Sequence, residues 1–172
     1  MQHPDNRRSQ HVIDCLDLQP HPEGGWFKEV FRAPAQVQCD DERGPRSALT
    51  SIYFLLEAGR HSRWHRVLSD ELWIYLEGAP LALWTIDPAL RTAPAHVQLG
   101  PVDLHGRRPQ HVVPAGQWQA AQPLTEDANH SYSLVACAVA PGFAFADFSL
   151  MDAQGDEAAA LRHHWPALAY FI

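Results

Sequence analysis

His65 and Glu71 are the side chains of this 172-residue chain whose types and spacing best support chemistry. Both fall in strand-like runs, RWHRV and ELWIYLEG, separated by the turn residues Leu68 to Asp70. Side chains alternate faces along a strand, so His65 shares a face with Val67, and Glu71 shares one with Trp73 and Tyr75. With both sets turned inward, the turn brings an imidazole and a carboxylate together near one mouth of the sheet structure. A carboxylate against an imidazole fixes its tautomer and raises its basicity, which makes a general-base dyad. An inward Glu is costly unless paired, so position 71 asks for such a partner. His61, four residues before His65, lies about 13 Å away along an extended chain and cannot share one ion with it without a sharp bend.

The elements that must hold this pair read as short strands. Ser9 can cap a short helix through Ile13 and Leu16, which Pro20 and Pro22 end. From Trp26 the pattern is WFKEVFR, ALTSIYFLLE, RWHRV, ELWIYLEG and LALWTID, with further short runs at HVQLG, QHVVP, GQWQAA, SYSLVACAVA and FAFADFSLM. About ten closely spaced strands without helical crossovers predict an all-β antiparallel sandwich or barrel. The segments 37–45 and 125–130 read as exposed loops. A brief helix from Gly155 or Asp156 stops at Pro166, and the apolar end LAYFI is expected to pack on the barrel or on a partner subunit.

Bulk properties bound the function classes. The net charge of −7 has the wrong sign for a protein that neutralises phosphates, which sets nucleic-acid polymers aside as partners. The longest apolar stretch, Leu134 to Ala140, is far short of the ~18 residues that cross a bilayer, and residues 1–10 carry no apolar leader, so a cytoplasmic location without membrane association is expected. Cys15, Cys39 and Cys137 are scattered and read as plain thiols.

Gly59, His65, Glu71 and Gly78 stand at the spacing of the first cupin motif, with Val67 where that motif has its second His. PHPEGGWF (20–27), SIYFLL (51–56), HRVLSDELW (65–73), VPAGQWQ (113–119) and VAPGFAFADF (139–148) extend the match. Together these segments resemble the small cupins of the DUF985 type, grouped loosely as predicted sugar epimerases. The resemblance implies a double-stranded β-helix jelly roll with short N- and C-terminal helices. It further implies one cupin domain over residues 1–172 with its core at about 18–150, residues 1–10 being flexible, a homodimer, and a ligand pocket inside the barrel. In the second cupin motif Pro114 and Gly116 match, but Gln119 replaces the His. Two of the four ligands of metal cupins are thus missing, and no cofactor is expected; were a divalent metal bound, His65, Glu71, Glu23 and Gln119 would be its ligands.

The resemblance then implies metal-independent proton transfer, as in sugar epimerases on this scaffold: His65 as base, Glu71 orienting it, and Tyr75 or Tyr53 as the acid. Glu23, Trp73, Trp118, Gln119, Lys28 and Arg32 are the candidate ligand-binding residues, the ligand being a small polar molecule such as a sugar or nucleotide sugar. Each has a plainer reading: Glu23 can cap the Gly24-Gly25 turn, the aromatics can fill the core, and Lys28 and Arg32, four apart on a strand, can be solvated. A non-catalytic metabolite-binding cupin and a metal-dependent cupin enzyme stand as alternatives.

Overall fold

The structure is a computed structural model and describes residues 4–124 and 132–172. Helix α1 (Pro4–Cys15) opens with proline in its first turn, where a missing N–H costs nothing. Val12 and Ile13 pack with Leu18, Leu55, Tyr132 and Leu134 against the outside of a sheet. The helix therefore begins before Ser9, and that residue is no cap: it is buried, and its hydroxyl reaches Glu57 at 3.4 Å. Residues 4–10 belong to this helix.

The strands are β1 (Gln19–Pro20), β2 (Trp26–Arg32), β3 (Gln36–Gln38), β4 (Pro45–Ser47), β5 (Thr50–Glu57), β6 (His65–Val67), β7 (Asp70–Gly78), β8 (Leu81–Ile86), β9 (Ala95–Leu99), β10 (Gln110–Val113), β11 (Trp118–Pro123), β12 (Tyr132–Ala140) and β13 (Phe148–Leu150). They form a six-stranded sheet in the order β1-β2-β5-β12-β7-β10 and a five-stranded sheet in the order β13-β6-β11-β8-β9. The two sheets face each other in a jelly roll. Phe54, Leu56, Trp73, Val135 and Cys137 from the first meet Leu81, Leu83, Leu99 and Ala121 from the second. Strand alternation explains this division: Phe54 and Leu56 on β5, Val135 and Cys137 on β12, and Leu81 and Leu83 on β8 are spaced by two and share the inward face.

The expected exposed loop at 37–45 is a small β3-β4 hairpin, and the one at 125–130 lies outside the described residues. Helix α2 (Asp156–His164) ends before Pro166, and a 3₁₀ turn follows. Phe171 packs into the second core with Trp64, Trp84 and Leu161, so the apolar carboxyl end covers the barrel itself.

Candidate functional site

A cavity of about 100 Å³ opens at one end of the jelly roll, lined by His21, Glu23, His65, Glu71 and Cys137 on the polar side and by Phe27, Phe54, Phe143, Phe145 and Phe148 on the aromatic side. Its floor is set by backbone pairing. His65 on β6 lies opposite Gln119 of β11 and Leu150 of β13, and Glu71 on β7 lies opposite Val139 and Val113. Both side chains are buried and face the cavity, as strand alternation predicts.

They are not each other's partners. His65 Nδ1 is 2.8 Å from the Arg63 carbonyl oxygen, which can only accept, so Nδ1 carries a proton and donates it. The other ring nitrogen, Nε2, sits 3.2 Å from Glu23 Oε2, and this is the imidazole's carboxylate contact. The expected His65–Glu71 dyad is thus replaced by His65 and Glu23. Among the described residues Glu71 makes no ion pair with His65 and acts on it through the field alone.

Glu23 comes from the tight turn between β1 and β2. The His21 amide donates to the Gly25 carbonyl and the Gly24 amide to His21, while the Arg63 amide holds the Glu23 carbonyl at 2.8 Å. Both glycines have positive φ, and a Cβ at Gly24 would stand 2.7 Å from the His61 carbonyl oxygen, so the turn is pressed against the chain leading into β6. Glu23 and His65 are therefore registered on the same residue, Arg63. This turn also delivers His21, whose Nδ1 lies 3.3 Å from the same Glu23 Oε2.

Glu71 is oriented from behind. Trp73 Nε1 donates to Gln119 Oε1 at 2.9 Å, and Gln119 Nε2 donates to Glu71 Oε2 at 2.6 Å, all within the core. Burial pushes the Glu71 carboxyl above the usual carboxylate range; His65 pulls against this, and the neighbouring Glu23 adds to it. Burial likewise pushes the Cys137 thiol well up, with Glu71 and Glu23 contributing, so the thiol stays protonated and gives a hydrogen bond to Glu71.

The remaining expected site residues divide by strand face. Tyr75 gives its hydroxyl to the Gly78 carbonyl at 2.7 Å and packs on the core, away from the cavity lining. Tyr53 points to the opposite face, against the α1 cluster. Neither tyrosine reaches the reacting end. Trp73 and Gln119 support Glu71 from the core, and Trp118 belongs to the second core with Arg66 4.5 Å above its ring.

Lys28 and Arg32 part company because a bulge after Glu29 shifts the β2-β5 register. Phe27, Glu29 and Arg32 then face the cavity, whereas Lys28 faces outward and pairs with Asp17. Arg32 forms a two-pronged pair with Glu29 and donates to the Phe143 carbonyl at 3.1 Å, tying β2 to the segment that carries the cavity phenylalanines. That segment is fixed at its other end by Arg46, whose Nε and Nη2 hold the buried Asp147 at 2.8 and 2.7 Å.

His21, Glu29, Cys137 and the phenylalanines were not foreseen as site residues. For His21 the signal lay in the sequence: it stands two residues before Glu23 in the same Pro- and Gly-rich turn segment, PHPEGG. Val67, in the place of the second His of metal cupins, forms part of the cavity wall. Among the described residues no group of three or more His, Cys, Asp or Glu side chains is set out to hold a metal ion. Gln119 is spent on Trp73 and Glu71 and Val67 carries no donor, so two of the four ligand positions of metal cupins offer no free ligand atom.

A family model described as Cupin superfamily (DUF985) matches residues 10–151. A hypothetical protein from Leishmania major is 34% identical, with 95% of this chain and 96% of that chain covered at a TM-score of 0.79. A crystal structure of a protein from Shewanella oneidensis is 33% identical, with 99% and 94% covered at a TM-score of 0.74. Oxalate decarboxylase from Bacillus subtilis shares the fold alone, at 13% identity, 86% and 34% coverage and a TM-score of 0.55. No curated protein matches the sequence significantly. The family match over most of the chain and two relatives aligned along nearly their whole length agree with the jelly roll and its motifs: the chain belongs to the cupin superfamily, in the DUF985 family.

Proposed function

We propose that this cupin binds a small carbonyl or hydroxy-carbonyl compound and moves a proton on it, in a reaction of the epimerase or isomerase kind. The observation that carries this reading is the contact of His65 Nε2 with Glu23 Oε2 at 3.2 Å inside a buried cavity, with Nδ1 already committed to a backbone carbonyl. With Nδ1 already a donor, the 3.2 Å approach of Nε2 to a carboxylate oxygen calls for a proton between them, so the His65–Glu23 pair can give or take a proton as a unit. Glu71, held above the normal carboxylate range, can donate a hydrogen bond to a carbonyl or enolate oxygen. The acid role expected of a tyrosine then falls to groups on the cavity floor.

The cavity is smaller than the ~300 Å³ at which sites for drug-sized molecules begin. It suits the reacting end of a monosaccharide or smaller keto compound. A nucleotide sugar would have to extend its nucleotide past Phe145 at the mouth.

The test is deuterium uptake from heavy water into keto-sugars and small hydroxyketones, followed by NMR. Uptake that disappears in His65→Ala and Glu23→Gln supports the reading. Uptake that persists in both rules it out. Stoichiometric iron, nickel, zinc or manganese in the purified protein would replace it with a metal-dependent one.

A further inference from the structure

We propose that His21, Glu23 and His65 form a proton relay joining the buried cavity to an outer cleft, with His21 as the residue through which the buried base exchanges protons with solvent. The proposal rests on the reading of His65 as the base. Its geometry is a hub: one carboxylate oxygen, Glu23 Oε2, lies 3.2 Å from His65 Nε2 and 3.3 Å from His21 Nδ1. All three side chains are at least nine-tenths buried, with exposures of 2% for His65, 7% for Glu23 and 6% for His21.

Backbone contacts assign the ring tautomers at the hub. His65 Nδ1–H donates to the Arg63 carbonyl, and His21 Nδ1 accepts the Glu23 backbone N–H at 3.4 Å. In its neutral form His21 therefore carries its proton on Nε2, and the Nδ1 lone pair is shared between the Glu23 amide at 3.4 Å and the Glu23 carboxyl at 3.3 Å. A proton on Glu23 Oε2 accordingly has an acceptor on either side.

On the cavity side the His21 ring is packed among aromatic side chains. Phe27, Phe145 and Phe148 stand 4.6, 6.2 and 5.7 Å from the His21 ring. His21 also lines a second, outer cleft of about 470 Å³, bounded by Trp26, Arg60, His61 and Tyr170. It forms the partition between the two spaces. The other ionisable groups facing the cavity are engaged elsewhere: Glu71 with Gln119 and Cys137, and Glu29 with Arg32.

The transfer balances without an added reagent. His65 Nε2 takes the proton from a carbon beside the carbonyl, and the C–H electron pair stays on the ligand as an enolate. The imidazolium passes its proton to Glu23 Oε2, which passes it to His21 Nδ1, and His21 releases its Nε2 proton to water in the outer cleft. The reverse sequence returns a proton to the ligand.

The experiment needs no ligand. The full chain with ¹⁵N-labelled histidine is placed in heavy water in acid, where an imidazolium holds a proton on both nitrogens, and exchange of the His65 Nε2–H, the proton the relay carries, is timed by NMR while melting curves monitor the fold. His21→Phe and Glu23→Gln are expected to slow this exchange about tenfold or more, as loss of a proton-transfer group does. Should His21→Phe fold poorly, His21→Gln gives the same reading. His21→Ala is expected to be slow and to recover on addition of free imidazole, which enters by the outer cleft. Unchanged exchange in a folded His21 variant overturns the relay, as does slow exchange that imidazole does not restore. Failure of ligand deuteration with intact relay behaviour would count against the proposed reaction alone.

Discussion

Replacing Gln119 by leucine tests the buried chain that orients Glu71. Gln119 is 1% exposed, Trp73 1% and Glu71 7%, so water cannot take over the lost partners. The substitution removes the acceptor 2.9 Å from Trp73 Nε1 and the donor 2.6 Å from Glu71 Oε2, leaving both groups unsatisfied. At roughly 1–3 kcal/mol for each of the two orphaned groups, less about 1 kcal/mol for the added apolar contact, the expected loss is about 1–5 kcal/mol. For a chain of this size that lowers the melting temperature by about 3–15 °C, read by calorimetry or circular dichroism. Gln119→Glu is expected to be milder in acid, where the protonated Glu71 can itself donate to the new carboxylate. A leucine variant melting within about 2 °C of the parent, under the calculated loss, would show that this chain does not form.

Three further outcomes follow from the charges. Because burial raises the Glu71 value in the folded state above its ordinary 4.5, the folded protein holds this proton more tightly than the unfolded chain. That stabilisation is complete below about pH 4.5 and fades as pH rises through the raised value, so urea denaturation of Glu71→Gln should show a flatter stability profile over this window. Asp147 behaves in the opposite sense: Arg46 holds it below its ordinary 3.8, and its contribution is lost as pH falls through that depressed value. Asp147→Asn leaves Arg46 without its carboxylate, while Arg43 keeps Asp41, and is expected to cost about 3 kcal/mol in denaturant titrations at neutral pH, with the acid-side loss diminished.

The parts of this protein legible in its sequence are those governed by local rules. Strand alternation put His65, Glu71 and Trp73 inward, and the Gly and Pro punctuation gave β2, β7 and β8 nearly to the residue. What alternation cannot give is which inward neighbours touch. Glu23 reaches His65 only because the Gly24-Gly25 turn docks on residues 61–63, a contact between segments about forty positions apart. The β2 bulge had the same effect on a smaller scale: one extra residue turned Arg32 inward and left Lys28 outside. Tyr75 faces inward as expected, yet its hydroxyl is captured by the Gly78 carbonyl of its own strand.

The central claim is that the imidazole of His65 works through Glu23, with its Nδ1 proton anchored on Arg63. ¹⁵N NMR of the histidine rings reads this directly, because protonated and bare ring nitrogens differ widely in shift. The account predicts a protonated Nδ1 on His65 and an Nε2 signal that moves strongly in Glu23→Gln and little in Glu71→Gln. A bare Nδ1, or an Nε2 that responds to Glu71 and ignores Glu23, would contradict it.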